Sequence, residues 1–200
     1  AKTQFPDLIE SVSSELTPMV ATARSIKKEH PNAKVVFIGP CAAKKLEASR
    51  RTVRSDVDFV LTFEEVMGMF EAKGINLPQV EADTPFDEAS ANGRGFAVSG
   101  GVANAVKQCI QKKHPEKEVL IDSAEGLKNC RTMLMMAKAG KRNGYLLEGM
   151  ACPGGCVAGA GTLQPVIKSS ALVKKYTNDA EKKLAFESEY LDNLDLLTKE

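Results

Sequence analysis

The chain has 200 residues, 43% of them hydrophobic and 26% charged, with a formal net charge of +1. These values are ordinary for a soluble globular domain, with length enough for one sizeable core or two small lobes. No basic surplus argues for nucleic acid, and no apolar run reaches the ~18 residues of a membrane span, so neither partner is expected.

The chain opens at Ala1 with no signal-peptide pattern, as a fragment, a processed subunit or simple Met removal would leave it. Five cysteines, an odd number in a lysine-rich chain, argue against a disulfide framework. Reduced thiols or ligands in a cytoplasmic protein are expected instead.

Apolar residues at Phe5, Leu8, Ile9, Val12 and Leu16 have helical spacing, and predict a helix over 5–16. Thr17-Pro18 interrupts it. A second helix is predicted over 19–28, ended by His30-Pro31-Asn32. Lys34-Val35-Val36-Phe37-Ile38 reads as a buried parallel strand, closed by Gly39-Pro40-Cys41. Asp58-Phe59-Val60-Leu61 reads as another. Thr62 can cap a helix over 63–72, with Glu65 as capping-box partner and Gly74 as the stop.

Residues 76–94 carry prolines and acids without a period, and read as a long loop. Gly95-Phe96-Ala97-Val98 reads as a short strand, and Ser99-Gly100-Gly101 opens a helix to about Lys113. Glu118-Val119-Leu120-Ile121 is a predicted strand, followed by a helix from Asp122 or Ser123 to about Ala139. Gly144-Tyr145-Leu146-Leu147 is the next strand. A helical tail is expected over about 166–200. Alternating short strands and helices make the fold α/β, a mainly parallel sheet flanked by helices.

The last strand runs into Glu148-Gly149-Met150-Ala151-Cys152-Pro153-Gly154-Gly155-Cys156-Val157-Ala158-Gly159-Ala160-Gly161. Soft thiolates suit iron–sulfur clusters, zinc or copper(I), and glycine lets backbone approach a bulky inorganic group. Cys41 and Cys152 each follow a predicted strand, where ligands gather in open parallel sheets. Zinc is the rival reading. Yet the spacing is C-x3-C, and no second cysteine pair or nearby histidine completes four ligands. The glycines do not make a nucleotide-binding G-x-G-x-x-G.

Cys109 and Cys130 fall on helical faces with apolar neighbours and read as core residues. Packing is the default for Met133, Met135 and Met136, but Met150 stands two residues before a candidate ligand. His30 and His114 read as exposed. Lys44 and Glu47 follow Cys41. Alone they would be a charged helix start; beside a thiolate site the lysine could donate to an anionic ligand, with the acid orienting it or passing protons.

Together these residues resemble the catalytic domain of the [FeFe]-hydrogenases. Its second cysteine motif, roughly Met-Pro-Cys-x-x-Lys-x-x-Glu, looks like Gly39-Pro40-Cys41-Ala42-Ala43-Lys44-Lys45-Leu46-Glu47. Its third, roughly Glu-x-Met-Ala-Cys-x-x-Gly-Cys-x-x-Gly-Gly, looks like residues 148–160. The similarity runs from about Phe5 to Pro165.

The resemblance implies that Cys41, Cys152 and Cys156 ligate a [4Fe–4S] cubane. Cys156 would bridge it to a diiron site carrying CO, cyanide and a dithiolate, the whole forming the H-cluster. Lys44 would donate to a cyanide, and Glu47 matches the motif's acid. Met150 and Phe96 would wall the diiron pocket with Ser99 close by, and Pro40 and Gly155 complete the implied cofactor-binding set. Ser13 falls where the family places a proton-relay serine. The implied reaction is the reversible combination of two protons and two electrons to H₂. The implied partners are a ferredoxin-like electron carrier or an upstream iron–sulfur domain, and the proteins that mature the cluster.

The sequence also departs from that pattern. The family's first cysteine motif, expected shortly upstream of Phe5, is absent. Gly39 replaces the usual Met, and Gly159-Ala160-Gly161-Thr162-Leu163 differs from the family ending. These changes look like divergent, sensory-like branches. The whole chain, 1–200, is accordingly expected to be a partial catalytic domain that does not sustain turnover alone. A non-catalytic hydrogen-sensing or iron–sulfur module, or a hydrogenase-like assembly protein, is the alternative, although Lys44 and Glu47 argue against the last.

Overall fold

The computed structural model describes residues 1, 3–50, 56–81 and 89–188. They fall into two compact units. One holds the described parts of Ala1–Ser13, Glu88–Ala158 and Pro165–Glu189; the other holds those of Ser14–Asp87, with Gly159–Gln164.

The Ser14–Asp87 unit contains α1 (Pro18–Glu29), β1 (Val36–Ile38), α2 (Ala43–Ser49), β2 (Phe59–Leu61) and α3 (Phe63–Ala72). β1 and β2 pair in parallel, Phe37 opposite Val60, with α2 as the crossover. Met19, Val20 and Ala23 of α1 pack with Val57 and Val60, and Leu16, Val35, Phe37 and Ala48 close over them. Val20 is fully buried, which contributes roughly 2 kcal/mol. The fully buried strands expected from sequence are corrected here. Phe37 and Val60 point inward, while Val36 and Phe59 remain 44% and 61% exposed. A two-stranded ladder has one covered face, and side chains alternate across it.

α3 begins at the capping box foreseen in the sequence. The Glu65 amide donates to Thr62 Oγ1, and the Thr62 amide donates to Glu65 Oε2. The expected helix over 5–16 is instead a single 3-10 segment, Pro6–Ser11, with extended backbone at Val12. Serines at 11, 13 and 14 around a β-branched valine favour local side-chain hydrogen bonds over helix propagation.

The other unit repeats the same arrangement. After α4 (Ala91–Gly95) and α5 (Gly101–Lys113) come β3 (Leu120–Glu125), α6 (Leu127–Lys138) and β4 (Tyr145–Met150). β3 and β4 are parallel, from Leu120 opposite Tyr145 to Glu125 opposite Met150. α7 (Val166–Asn178) packs on α4, where the buried Arg94 donates to the Tyr176 carbonyl and stacks on its ring.

Three expectations are corrected in this unit. Gly95 ends α4 and residues 96–98 form a turn, not a strand, and the carbonyl of Ala97 is used by the cysteine loop instead. The loop expected over 76–94 carries a 3-10 turn, Leu77–Gln79, and the start of α4, while 82–88 lie outside the described residues. β3 extends to Glu125, because Asp122 and Ser123 continue the ladder that an apolar run alone does not reveal. The tail is helical through Asn178, with a short turn at Ala185–Glu187, and 189–200 lie outside the described residues.

Asp58 ties the β2 entry to the β1 entry. Its carboxylate accepts from the Val35 amide at 2.8 Å and pairs with Lys27 and Lys34. The amide bond first, then the two ammonium groups, hold its pKa well below the usual carboxylate range. A depressed folded-state pKa gives stability that is present above the unfolded value, about 4, and lost as pH falls below it. The stability advantage of the native chain over Asp58→Asn, followed by urea unfolding, is therefore full at neutral pH and shrinks steadily below about pH 4.

Candidate metal centre

Gly39 leaves β1 with its amide donating to the Leu61 carbonyl at 3.1 Å. A Cβ there would lie 2.8 Å from the Phe37 ring, so Phe37 occupies the room that the family's Met would need. Pro40 and Cys41 are half-buried. The Pro40 carbonyl accepts from the Gly161 amide at 2.9 Å, and a Cβ at Gly159 would stand 2.3 Å from that same oxygen. The chain three residues past Cys156 thus lies directly on the carbonyl that precedes Cys41.

The Cys41 carbonyl accepts from the Lys44 amide at 3.2 Å as the chain turns into α2. Lys44 Nζ donates to Glu47 Oε2 at 2.7 Å, and both side chains are only 22% exposed. The other carboxylate oxygen, Oε1, accepts from the Thr17 hydroxyl.

In the second unit Cys152 and Cys156, both half-buried, sit in a loop held by backbone. The Gly155 amide donates to the Cys152 carbonyl at 3.0 Å. The Ser99 amide donates to the Gly154 carbonyl at 3.2 Å, and the Val157 amide to the Ala97 carbonyl at 3.1 Å. The Gly154 amide donates to Glu125 Oε2 at 2.9 Å. Gly155 has φ +95°, and a Cβ there would stand 2.7 Å from the Ser99 nitrogen. Only glycine tolerates both.

Sequence reasoning overlooked Glu148 as anything beyond a motif letter. It is 9% exposed, and its two carboxylate oxygens accept from the Gly100 amide at 2.9 Å and the Ala103 amide at 2.8 Å. It therefore caps α5 from 45 or more residues away, with its charge at the positive end of that helix. β4, the start of α5 and the turn gripping the cysteine loop become one body.

The structure thus brings Ser99, Gly155, Cys152 and Cys156 into one backbone network, with Phe96 half-buried in the adjoining turn and Met150 at the end of β4. Pro40, Cys41, Lys44 and Glu47 form the second group. Ser13 is exposed. His30 and His114 are exposed, as expected. Cys109 and Cys130 are half-buried rather than core, and the Cys130 thiol donates to the Ala124 and Met150 carbonyls, both at 3.4 Å. Met135, expected to pack, is 55% exposed, and Leu127 at the start of α6 is 74% exposed.

No disulfide joins any of the five cysteines. Among the described residues, no three His, Cys, Asp or Glu side chains stand ready around one metal ion. A four-iron cluster spaces its thiolates more widely than a single ion does. Thiolates such as those of Cys41 in one unit and Cys152 and Cys156 in the other are soft donors, of the kind that bind iron in iron–sulfur groups.

Glu148→Ala leaves two amides at the α5 terminus without their acceptor, and should cost on the order of 3 kcal/mol by chemical denaturation. Glu125→Ala, which removes one exposed bond, should cost under about 1 kcal/mol.

Comparison with known proteins supports the fold and the family. The solved structure of a variant of [FeFe]-hydrogenase HydA1 from Chlamydomonas reinhardtii superposes with a TM-score of 0.65 at 22% identity, covering 96% of this chain and 67% of that one. The periplasmic [Fe] hydrogenase large subunit of Nitratidesulfovibrio vulgaris is 28% identical over 208 residues, covering 84% of this chain and 49% of that protein. Cytosolic iron-sulfur assembly component 3 of Pongo abelii is 31% identical over 169 residues, covering 64% and 35%. The chain spans about half, or less, of the length of these curated relatives. The model of the iron only hydrogenase large subunit, C-terminal domain, matches residues 1–160, and the chain belongs to that family.

Proposed function

We propose that this chain forms part of a hydrogenase catalytic domain, in which Cys41, Cys152 and Cys156 would hold an iron–sulfur cofactor with a diiron part. That group, when bound, supplies the reversible interconversion of two protons and two electrons with H₂. The observation carrying this reading is the partly buried Lys44–Glu47 ion pair three residues past Cys41, at the end of β1.

The protein's own part is binding, charge placement and exclusion of water. Three thiolates take iron corners. Lys44 presents its ammonium to an anionic ligand, and a charge-assisted hydrogen bond there is worth about twice a neutral one. Met150 and Phe96 supply apolar wall and Ser99 a hydroxyl beside it, while Pro40 and Gly155 shape the two loops. Ser13, exposed, takes the place of a proton-relay serine. Partners on this reading are a ferredoxin-like carrier or an iron–sulfur domain of the same protein, and the maturation proteins. The compartment is the cytoplasm, with the cysteines reduced. Among the described residues no helix is long and apolar enough to cross a membrane.

A second reading, a non-catalytic iron–sulfur module, is favoured by the similarity to cytosolic iron-sulfur assembly component 3. The two separate experimentally. Anaerobic reconstitution with iron and sulfide should give bound iron that falls at least severalfold in Cys41→Ala, Cys152→Ala and Cys156→Ala, and not in Cys109→Ala. Iron bound equally by all four variants would sink the ligand assignment. Infrared bands of CO and cyanide after loading with a diiron complex support the hydrogenase reading. Iron without those bands supports the second.

A further inference from the structure

Thr17 occupies the N-cap position of α1, where a threonine hydroxyl ordinarily accepts from its own helix. Here its side chain makes no cap bond. The hydroxyl instead donates across 30 residues to Glu47 Oε1, while Glu47 Oε2 accepts from Lys44 Nζ at 2.7 Å. The three side chains form a line, hydroxyl to carboxylate to ammonium, and all are at least half-buried.

We infer that Thr17 is a positioning residue for Lys44, acting through Glu47. The inference rests on the role proposed for Lys44, but its geometry stands without it. Glu47 and Thr17 wall an open hollow of about 350 Å³ into which Glu15 and Arg50 also face. A guanidinium in that hollow competes for the Glu47 carboxylate. With one oxygen taken by the Thr17 hydroxyl, the carboxylate cannot rotate freely, and its other oxygen stays with Lys44. A long lysine side chain otherwise samples many rotamers, and ordering it is costly. The hydroxyl thus converts a loose cation into one of fixed direction.

The test reads the Lys44 ammonium group in the cluster-free chain by 1H–15N NMR, with the signal assigned through Lys44→Arg. A hydrogen-bonded ammonium exchanges its protons slowly enough to be seen near neutral pH. Thr17→Val should speed that exchange about threefold to tenfold, and Thr17→Ser should restore it. Glu47→Gln should abolish the slow signal. Circular dichroism of each variant confirms folding, and Thr17→Ala, which also removes the hydroxyl, decides the matter if Thr17→Val does not fold. Unchanged exchange in Thr17→Val, or failure of Thr17→Ser to restore it, overturns the inference. In the reconstituted protein, Thr17→Val should shift the cyanide bands and Thr17→Ser should return them. A wild-type chain that binds no iron but shows the NMR effect defeats the proposed function and leaves the Thr17 role standing.

Discussion

At Gly155 and Gly159 one run of backbone lies against another with no room between them for a Cβ. The first touches the Ala97–Ser99 turn, the second the Pro40 carbonyl. Everything proposed for the cysteines depends on those two approaches. A thiolate offered to a cluster must be presented from backbone that cannot drift, and short amide-to-carbonyl bonds from neighbouring segments supply that rigidity here. A side chain at either position would force the two runs of backbone apart. The glycines after Cys152 therefore do structural work first, and clear space for an inorganic group second.

The two units use one plan. In each, one strand of a parallel β–α–β pair leads into a cysteine loop, β1 running to Cys41 and β4 to Cys152. The second strand of each pair holds the first in register, and polar side chains lock the ends. Asp58 does this beside β1, where it binds the Val35 amide and two lysines. Glu148 does it on β4, reaching the start of α5. Each carboxylate satisfies backbone donors that would otherwise be exposed or buried unpaired, which is why a charged group is tolerated at such positions.

Much of this could be read in the sequence, and the misses have physical causes. Strands β1, β2 and β4 announced themselves as short apolar runs, and the Thr62–Glu65 capping box was visible as a pattern of letters. The cysteine motifs and Lys44–Glu47 stood out because their spacing is local. Glu148 and Thr17 did not, because their partners lie 45 and 30 residues away and nothing in the neighbouring letters marks them. The helix expected near Val12 failed because periodicity ignores what serine does to a backbone. The exposure of Val36 and Phe59 was hidden because an apolar run cannot say how many sheets will cover it. Gly39 looked like a loss from the family motif. The Phe37 ring beside it shows that the space is filled rather than vacant.

The uncapped start of α1 carries a cost that falls on the helix itself. With the Thr17 hydroxyl committed to Glu47, the first turn is anchored by what Met19, Val20 and Ala23 bury rather than by any side-chain cap. Oil holds what a hydrogen bond would have held. Amide exchange along α1 would therefore rise steeply wherever that apolar contact is trimmed, and a mutation made for packing would be felt at a charged group on another element. Selection on the core and selection on the cation cannot be separated at this corner of the molecule.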